Sequence, residues 1–551
     1  MRNGSSVVKA GRLDVDPGAG IDDQPAVLCG GMFETTSASA EESPSRKAPP
    51  EILAVAGVAI LLGVVTRFFT RSSLWLDEAL TVNYASLSLS DLATALKHDG
   101  HPPLFYALLH GWMNIFGTSD VAVRALSGLF GLLTLPLIWI LGRRKGGPVL
   151  AWVAVAVVAV SPFAVRYSNE TRMYALVILL VTIGWILIDD IVDRGKATIL
   201  RFGAVALVGA ALLYSHYWSL WLLSALGATS LWKIWRSPTK PERRPWIGIV
   251  LSLVVSGILF VPWMPVMLFQ SANTGTPWAS PSRPTTALAW TLADNAAIRI
   301  GEQTLTAALF AIALVLGIFG VALDSTTTAL DLRTRPSFRG AAWIASLTFL
   351  IGSAISYVSN SAYAGRYSSV IFPFLAVIVA AGITCFTARW VRFGVVAVFC
   401  AFLSVGAVGN VTFERTQMPA FVPLIAENSA PGDIVVFCPD QLGPAGTRLL
   451  SPDLVFLSYP DSGDGRFVDW VGYGERNQRS DPDAFVATVL EQAGSSHTIF
   501  VIWSDSYKTF ETKCSGVIDA LATKRSAQLL LAEDGSTYFE HASLYRFVPT
   551  S

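Results

Sequence analysis

From Ile52 onward the chain alternates long apolar runs with short polar breaks, and the runs have the length a lipid bilayer demands. Stretches of about 17 to 22 apolar residues each suffice to cross about 30 Å at 1.5 Å per residue. They recur near 50–70, 121–142, 149–165, 173–191, 198–215, 217–233, 246–266, 304–323, 340–358, 367–387 and 390–410. The pattern predicts a polytopic α-helical membrane protein with about eleven transmembrane helices within 49–410. The segment 104–117 is apolar but short, and reads as an interfacial or re-entrant helix at the end of a long first outer loop, 72–120.

The two ends of the chain lack this pattern. Residues 1–48 mix Gly, Ser, Pro and Asp with little periodicity and read as a disordered cytoplasmic tail. The first apolar run starts too late for an ordinary cleaved signal peptide. After residue 410 the apolar runs shrink to strand length, as in DIVVFCP, LVFLSY, HTIFVIWS, AQLLLAE and SLYRFVP. Helical stretches such as DPDAFVATVLEQAG and TKCSGVIDALATKR lie between them. That alternation predicts a C-terminal extracytoplasmic α/β domain, 411–551, with a largely parallel sheet.

Composition agrees with many spans. The chain is 52% apolar and only 15% charged, against about a quarter charged in soluble proteins. Lys and Arg balance Asp and Glu at 40 each, so nothing points to nucleic acid. Trp75, Trp112, Trp218, Trp263 and Trp390 lie near run ends, where indole rings anchor at the lipid boundary. Lys and Arg concentrate in alternate loops, at Arg143 to Lys145, Arg194 to Arg201, Lys233 to Arg244, Arg333 to Arg339, and Arg389 to Arg392. This bias sets the N-terminus inside; Arg67 and Arg71 count against it. An odd number of spans then puts the tail outside. Cys438 and Cys514 fall in that tail and have the option of pairing in an oxidising compartment.

Candidate chemistry sits in the outer loops. Asp77 and Glu78 follow the first span, where a carboxylate meets both a lipid-borne and a water-borne substrate as a general base; the alternative is a helix cap. His101 opens a His-Pro-Pro-Leu segment whose prolines extend the backbone before a helix. Protonated, it would bind a phosphate oxygen; with Glu78 it would hold a divalent metal, although no ligand-spacing motif supports a metal. Arg166, Glu170, Arg172 and Tyr174 crowd the turn RYSNETRMY, where an arginine either clamps a phosphate or snorkels beside Glu170. His216 and Tyr217 interrupt an apolar hairpin, and Arg366 and Tyr367 stand at the outer end of a late span.

Taken in order, Trp75-Leu76-Asp77-Glu78, His101 to Leu104, Arg166 to Tyr174 and Arg366-Tyr367 resemble the motifs of the C-type membrane glycosyltransferase superfamily. The resemblance is to the branch holding protein O-mannosyltransferases and lipid A aminoarabinose transferases, and it spans roughly 50–410. It implies a polyprenyl-phosphate-linked sugar donor, with Asp77 as base and inversion at the anomeric carbon. The acceptor, a glycan, lipid or protein outside the plasma (inner) membrane, is left open by it. A transporter or flippase of lipid-linked sugars is the competing class; the sequence shows no repeat between halves, as many transporters have.

Overall fold

The computed structural model describes residues 47–276, 279–296, 303–505, 507 and 512–549. The N-terminal tail expected over 1–48 therefore lies almost wholly outside the described residues.

Each of the eleven apolar runs contains helix, although 121–142 and 149–165 share one and 304–323 ends in a short strand, Gly320–Ala322. Among the described residues, six helices are long and apolar enough to cross a membrane: Pro50–Phe68 (α1), Asp120–Val160, Tyr174–Val192, the continuous stretch Lys240–Asn273, Pro336–Val358 and Arg389–Thr412. Ile199–Ser215, Thr304–Phe319 and Phe372–Ile383 are apolar but shorter, and Ser219–Arg236 is less apolar. Asp120–Val160 holds two of the expected runs. It breaks at Gly146 and Gly147, the latter at φ 82°, a conformation glycine adopts without a Cβ clash. Pro148 then restarts the helix.

The bundle is tightened by small residues. A Cβ on Gly63 would lie 2.4 Å from the Ala159 carbonyl oxygen, so only glycine lets α1 approach the end of Asp120–Val160 this closely. One turn on, Arg67 donates to the Val158 and Ala159 carbonyls at 2.8 and 2.6 Å. These belong to the last turn of that helix, whose carbonyls have no partner of their own. Arg67 is 1% exposed. Counted in the sequence as an outer-side charge, it is instead a buried brace, so it does not bear on orientation. At the far end of the bundle Arg144 and Lys145 pair with Asp189, at 3.0 and 2.6 Å, and Arg194 and Arg201 approach Asp190. Two of the basic loops, 143–145 and 194–201, thus meet around one pair of carboxylates.

The C-terminal region forms the expected α/β fold. Its strands are β1 (Glu414–Thr416), β2 (Ile434–Cys438), β3 (Val455–Ser458), β4 (Ile499–Trp503), β5 (Ser526–Leu531), β6 (Tyr538–Glu540) and β7 (Ser543–Val548). A five-stranded sheet runs in the order β3-β2-β4-β7-β5. The β2–β3 and β2–β4 pairs are parallel; β4–β7 and β5–β7 are antiparallel. The sheet is mixed, where the sequence suggested a largely parallel one. Short connections after the last helix let β7 fold back beside β4. Pro482–Ala493 and Lys513–Ala522 pack beside the sheet, and Cys514 is disulfide-bonded to Cys438.

This region is not a lid set apart from the first outer loop. Trp75, Leu76, Leu80, Tyr84, Leu92 and Leu96 share one hydrophobic core with Ile434, Val436, Ile499 and Val501 of the sheet. Asn83 donates to the Arg466 carbonyl, and His98 meets Asp469 at 2.9 Å. β1 and β6 form a separate parallel pair beside this joint.

Candidate active site

Leu76–Ala85 forms a helix, α2, so Asp77 and Glu78 sit in its first turn. Consecutive helical residues point about 100° apart. The two carboxylates therefore face opposite surroundings. Asp77 turns toward the late span and accepts from Arg366 Nη1 at 3.0 Å, with 17% and 22% of the two side chains exposed. Glu78 turns inward and is fully buried. Its oxygens accept from Arg124 at 2.7 and 2.5 Å, from Arg415 at 3.2 Å, and from the Thr171 N–H at 3.0 Å. Burial alone would raise its pKa, but the two guanidinium groups outweigh that and hold it below the usual carboxylate range. Glu78, expected beside Asp77 in the chemistry, has no open face: it is a structural charge that locks α2 to its neighbours. It also lies on different partners from His101, so the metal pair weighed in the sequence is not assembled. Among the described residues no group of three or more His, Cys, Asp or Glu is placed to hold a metal.

His101 and Arg172 form a second chain. His101 Nδ1 is 3.2 Å from Asp99 Oδ2, which also accepts from Tyr106 Oη at 2.5 Å. Arg172 Nη2 lies 3.0 Å from His101 Nε2. A neutral imidazole that donates from Nδ1 to the carboxylate and accepts at Nε2 from the guanidinium satisfies both contacts. Burial and Arg172 push the His101 pKa down, against the pull of Asp99. That downward shift disfavours the protonated His101 considered from sequence as a phosphate ligand. Arg172 Nη1 reaches Thr81 Oγ1 at 3.0 Å and the Asp77 carbonyl at 3.5 Å, and the residue is 3% exposed. It braces α2 and is closed to solvent.

The remaining candidates divide in the same way. Arg166 keeps 25% of its side chain open, while Glu170 beside it is buried, 3.5 Å from Arg166 and 3.8 Å from Arg415. Glu170 is therefore an internal counter-charge, not a substrate ligand as the sequence suggested. Tyr174, His216 and Tyr367 pack as a ring cluster, His216 lying 5.6 and 5.5 Å from the two tyrosines. The Tyr174 hydroxyl is buried with no hydrogen-bond partner among the described residues. Tyr217 points elsewhere. Its hydroxyl contacts Gln270 and accepts from Trp263 Nε1, so it braces the Lys240–Asn273 stretch and does not join the cluster.

Two charged neighbours of these residues were missed by the sequence reading. Asp294, on Pro284–Ala296, sits against Gly365: a Cβ there would lie 1.5 Å from its Oδ2. Burial raises its pKa, opposed by Arg166 and Arg366. A lone acid in the otherwise apolar run LAWTLADNAA was the available signal. Arg415, directly after the last span, was the other; nothing in its local pattern sets it apart. The partly open groups that remain are Asp77, paired with Arg366, together with His101 on Asp99 and Arg166 on Glu170.

The family model described as dolichyl-phosphate-mannose-protein mannosyltransferase matches residues 100–264, under a third of the chain. The structure resembles ArnT from Cupriavidus metallidurans in the apo state, with a TM-score of 0.57 at 13% identity, over 90% of this chain and 97% of that one. The same protein bound to undecaprenyl phosphate gives a TM-score of 0.55 at 14% identity, over 90% of this chain and 98% of that one. No curated protein sequence matches. Family match and fold agree with the motifs read from the sequence: over residues 100–264 the chain is similar to the protein mannosyltransferase family, and it shares the fold of ArnT.

Proposed function

We propose that this protein transfers a sugar from a polyprenyl-phosphate donor to an acceptor outside the inner membrane, with Asp77 as general base. The observation that carries the reading is the Asp77–Arg366 pair, a partly open carboxylate and guanidinium 3.0 Å apart at the rim of the helix bundle. Residues 49–410 form the membrane transferase domain and 411–551 the extracytoplasmic domain, with the N-terminus in the cytoplasm. The Cys438–Cys514 disulfide favours an oxidising compartment for the latter.

The donor phosphate takes the open guanidinium groups of Arg366 and Arg166. Drawing Arg366 onto the phosphate releases the Asp77 carboxylate. The acceptor hydroxyl then gives its proton to Asp77 as its oxygen bonds to the anomeric carbon. The bond from that carbon to the phosphate oxygen breaks, and its electron pair leaves on the polyprenyl phosphate. The arginines stabilise that charge as it develops, so no separate acid is required. Attack opposite the phosphate gives inversion. His101, Tyr174, His216 and Tyr367 line the sugar's side of the site. A cavity of about 1040 Å³, walled by apolar side chains including Leu212, Leu222, Val181 and Trp185, runs from one turn below His216 toward the opposite end of the bundle. It suits the isoprenoid chain.

The test is turnover in purified, lipid-reconstituted protein supplied with a panel of radiolabelled polyprenyl-phosphate sugars and envelope acceptors. D77N is expected to lose at least about 100-fold in rate, the scale of a general base. Near wild-type turnover by folded D77N removes Asp77 from this role. Movement of label across the membrane without a new glycoside would instead indicate a flippase.

A further inference from the structure

The base in that reading is held from the other end of the chain. Glu540, the last residue of β6, is 4% exposed. Its Oε2 accepts from the backbone N–H of Leu76 at 2.9 Å, the residue before Asp77 and the first of α2. Its Oε1 accepts from Thr416 Oγ1 at 2.8 Å, and the Tyr507 hydroxyl adds a third donor. Thr416 and Glu540 are paired across β1 and β6, and Gln417 N–H donates to the Glu540 carbonyl at 2.9 Å. The preceding Phe539 meets Trp75 edge to face at 5.4 Å. From the same strap, Arg415 N–H donates to Ser72 Oγ at 2.7 Å and Arg415 Nη1 reaches Glu78.

No side chain within α2 caps its N-terminus, and the first N–H groups of a helix need acceptors. A carboxylate there is favoured by the helix dipole. Glu540 fills that role from 464 residues away. We propose that Glu540 is a positioning residue for catalysis, capping α2 in trans so that Asp77 is held where it meets Arg366 and the acceptor hydroxyl. The inference rests on Asp77 being the base.

The charged and titratable groups facing Glu540 are Asp77 on α2 and Tyr507 on the loop after β4; Thr416 on β1 and the Leu76 N–H are its other, neutral partners. Burial first, and then Asp77, raise the Glu540 pKa to about 7, against the pull of its three donors. Its charge therefore changes within the working pH range.

The experiment compares wild type, E540A, E540Q, E540D and T416V in lipid nanodiscs, by steady-state turnover and by amide hydrogen exchange. E540A is expected to lower kcat at least tenfold with KM for donor and acceptor within twofold. E540D should restore part of that loss. A kcat limb near pH 7 in wild type should be absent in E540Q. Exchange over 74–80 should rise at least tenfold in E540A. T416V, which removes one donor and keeps the carboxylate, should fall between wild type and E540A in both measurements, and it serves if E540A does not fold. Unchanged exchange over 74–80 in both E540A and T416V overturns the capping. Faster exchange with kcat and its pH profile unchanged overturns the role in catalysis. If wild type turns over no polyprenyl-phosphate sugar, the transferase reading fails by itself, while exchange still decides whether Glu540 caps α2.

Discussion

Two neighbouring carboxylates with opposite fates decide most of the residue-level behaviour. Asp77 is partly open and paired once; Glu78 is sealed and held by two arginines and an amide. Removing one member of a buried charge cluster strands the others, at a cost of about 3–5 kcal/mol. E78A or R124A should therefore lower unfolding stability by that amount in detergent, measured by thermal or denaturant unfolding, whereas D77N should leave it nearly unchanged and abolish turnover. A stable E78A protein would reassign the core charge. R366K should also separate charge from geometry: Lys keeps the positive charge but loses the planar fork, so at least tenfold weaker donor binding is expected in a lipid-donor titration. The sequence marked Asp77 and Arg366 as candidates because charges at the membrane rim are costly and conspicuous. It did not separate Asp77 from Glu78, because a dipeptide carries no information about which way each side of a helix will face until its packing partners are known.

At the scale of elements, spans were legible and joints were not. The bilayer fixes the length and polarity of each helix, so the apolar runs became helical without long-range information, and the five strands of the main sheet were equally visible from their short runs. Strand order was hidden, since β4 pairs on one side in parallel and on the other antiparallel. So was the β1–β6 strap, whose strands are three residues each and lie far apart in sequence. The same region carries a pH signature. Asp440, just after β2, accepts from the Tyr473 hydroxyl at 2.6 Å. Burial raises its pKa from 3.8 to about 7, against that bond and Arg476. The native state thus binds this proton more tightly than the unfolded chain. Stability from this group is greatest below about pH 4 and falls as the pH rises to about 7, by on the order of 4 kcal/mol. D440N keeps the acceptor and lacks the charge. It should match wild type near pH 4 and be more stable by a few kcal/mol at pH 7.5 in parallel urea titrations; equal stability at both pH values would contradict the buried charge.

Across the whole molecule, the bundle, the first outer loop and the α/β region act as one body, joined through a shared core and the strap. The disulfide links β2 to a helix 76 residues later, and closing a loop of that length stabilises a fold by about 2–5 kcal/mol. The proposed placement of the α/β region outside the membrane makes a further expectation. In sealed right-side-out vesicles, a membrane-impermeant maleimide should modify E475C, at a side chain 75% exposed on the α/β region; in inverted vesicles it should stay unmodified. Labelling of inverted vesicles alone would reverse the topology. The shared core also bears on how the protein is made. Trp75, Leu80 and Tyr84 leave the ribosome early, yet their partners on β2 and β4 are more than 300 residues downstream. The first loop must wait, greasy and unpaired, through the insertion of almost every span, and chains stopped before the sheet would reach the membrane with their chemistry unassembled and an adhesive surface on show.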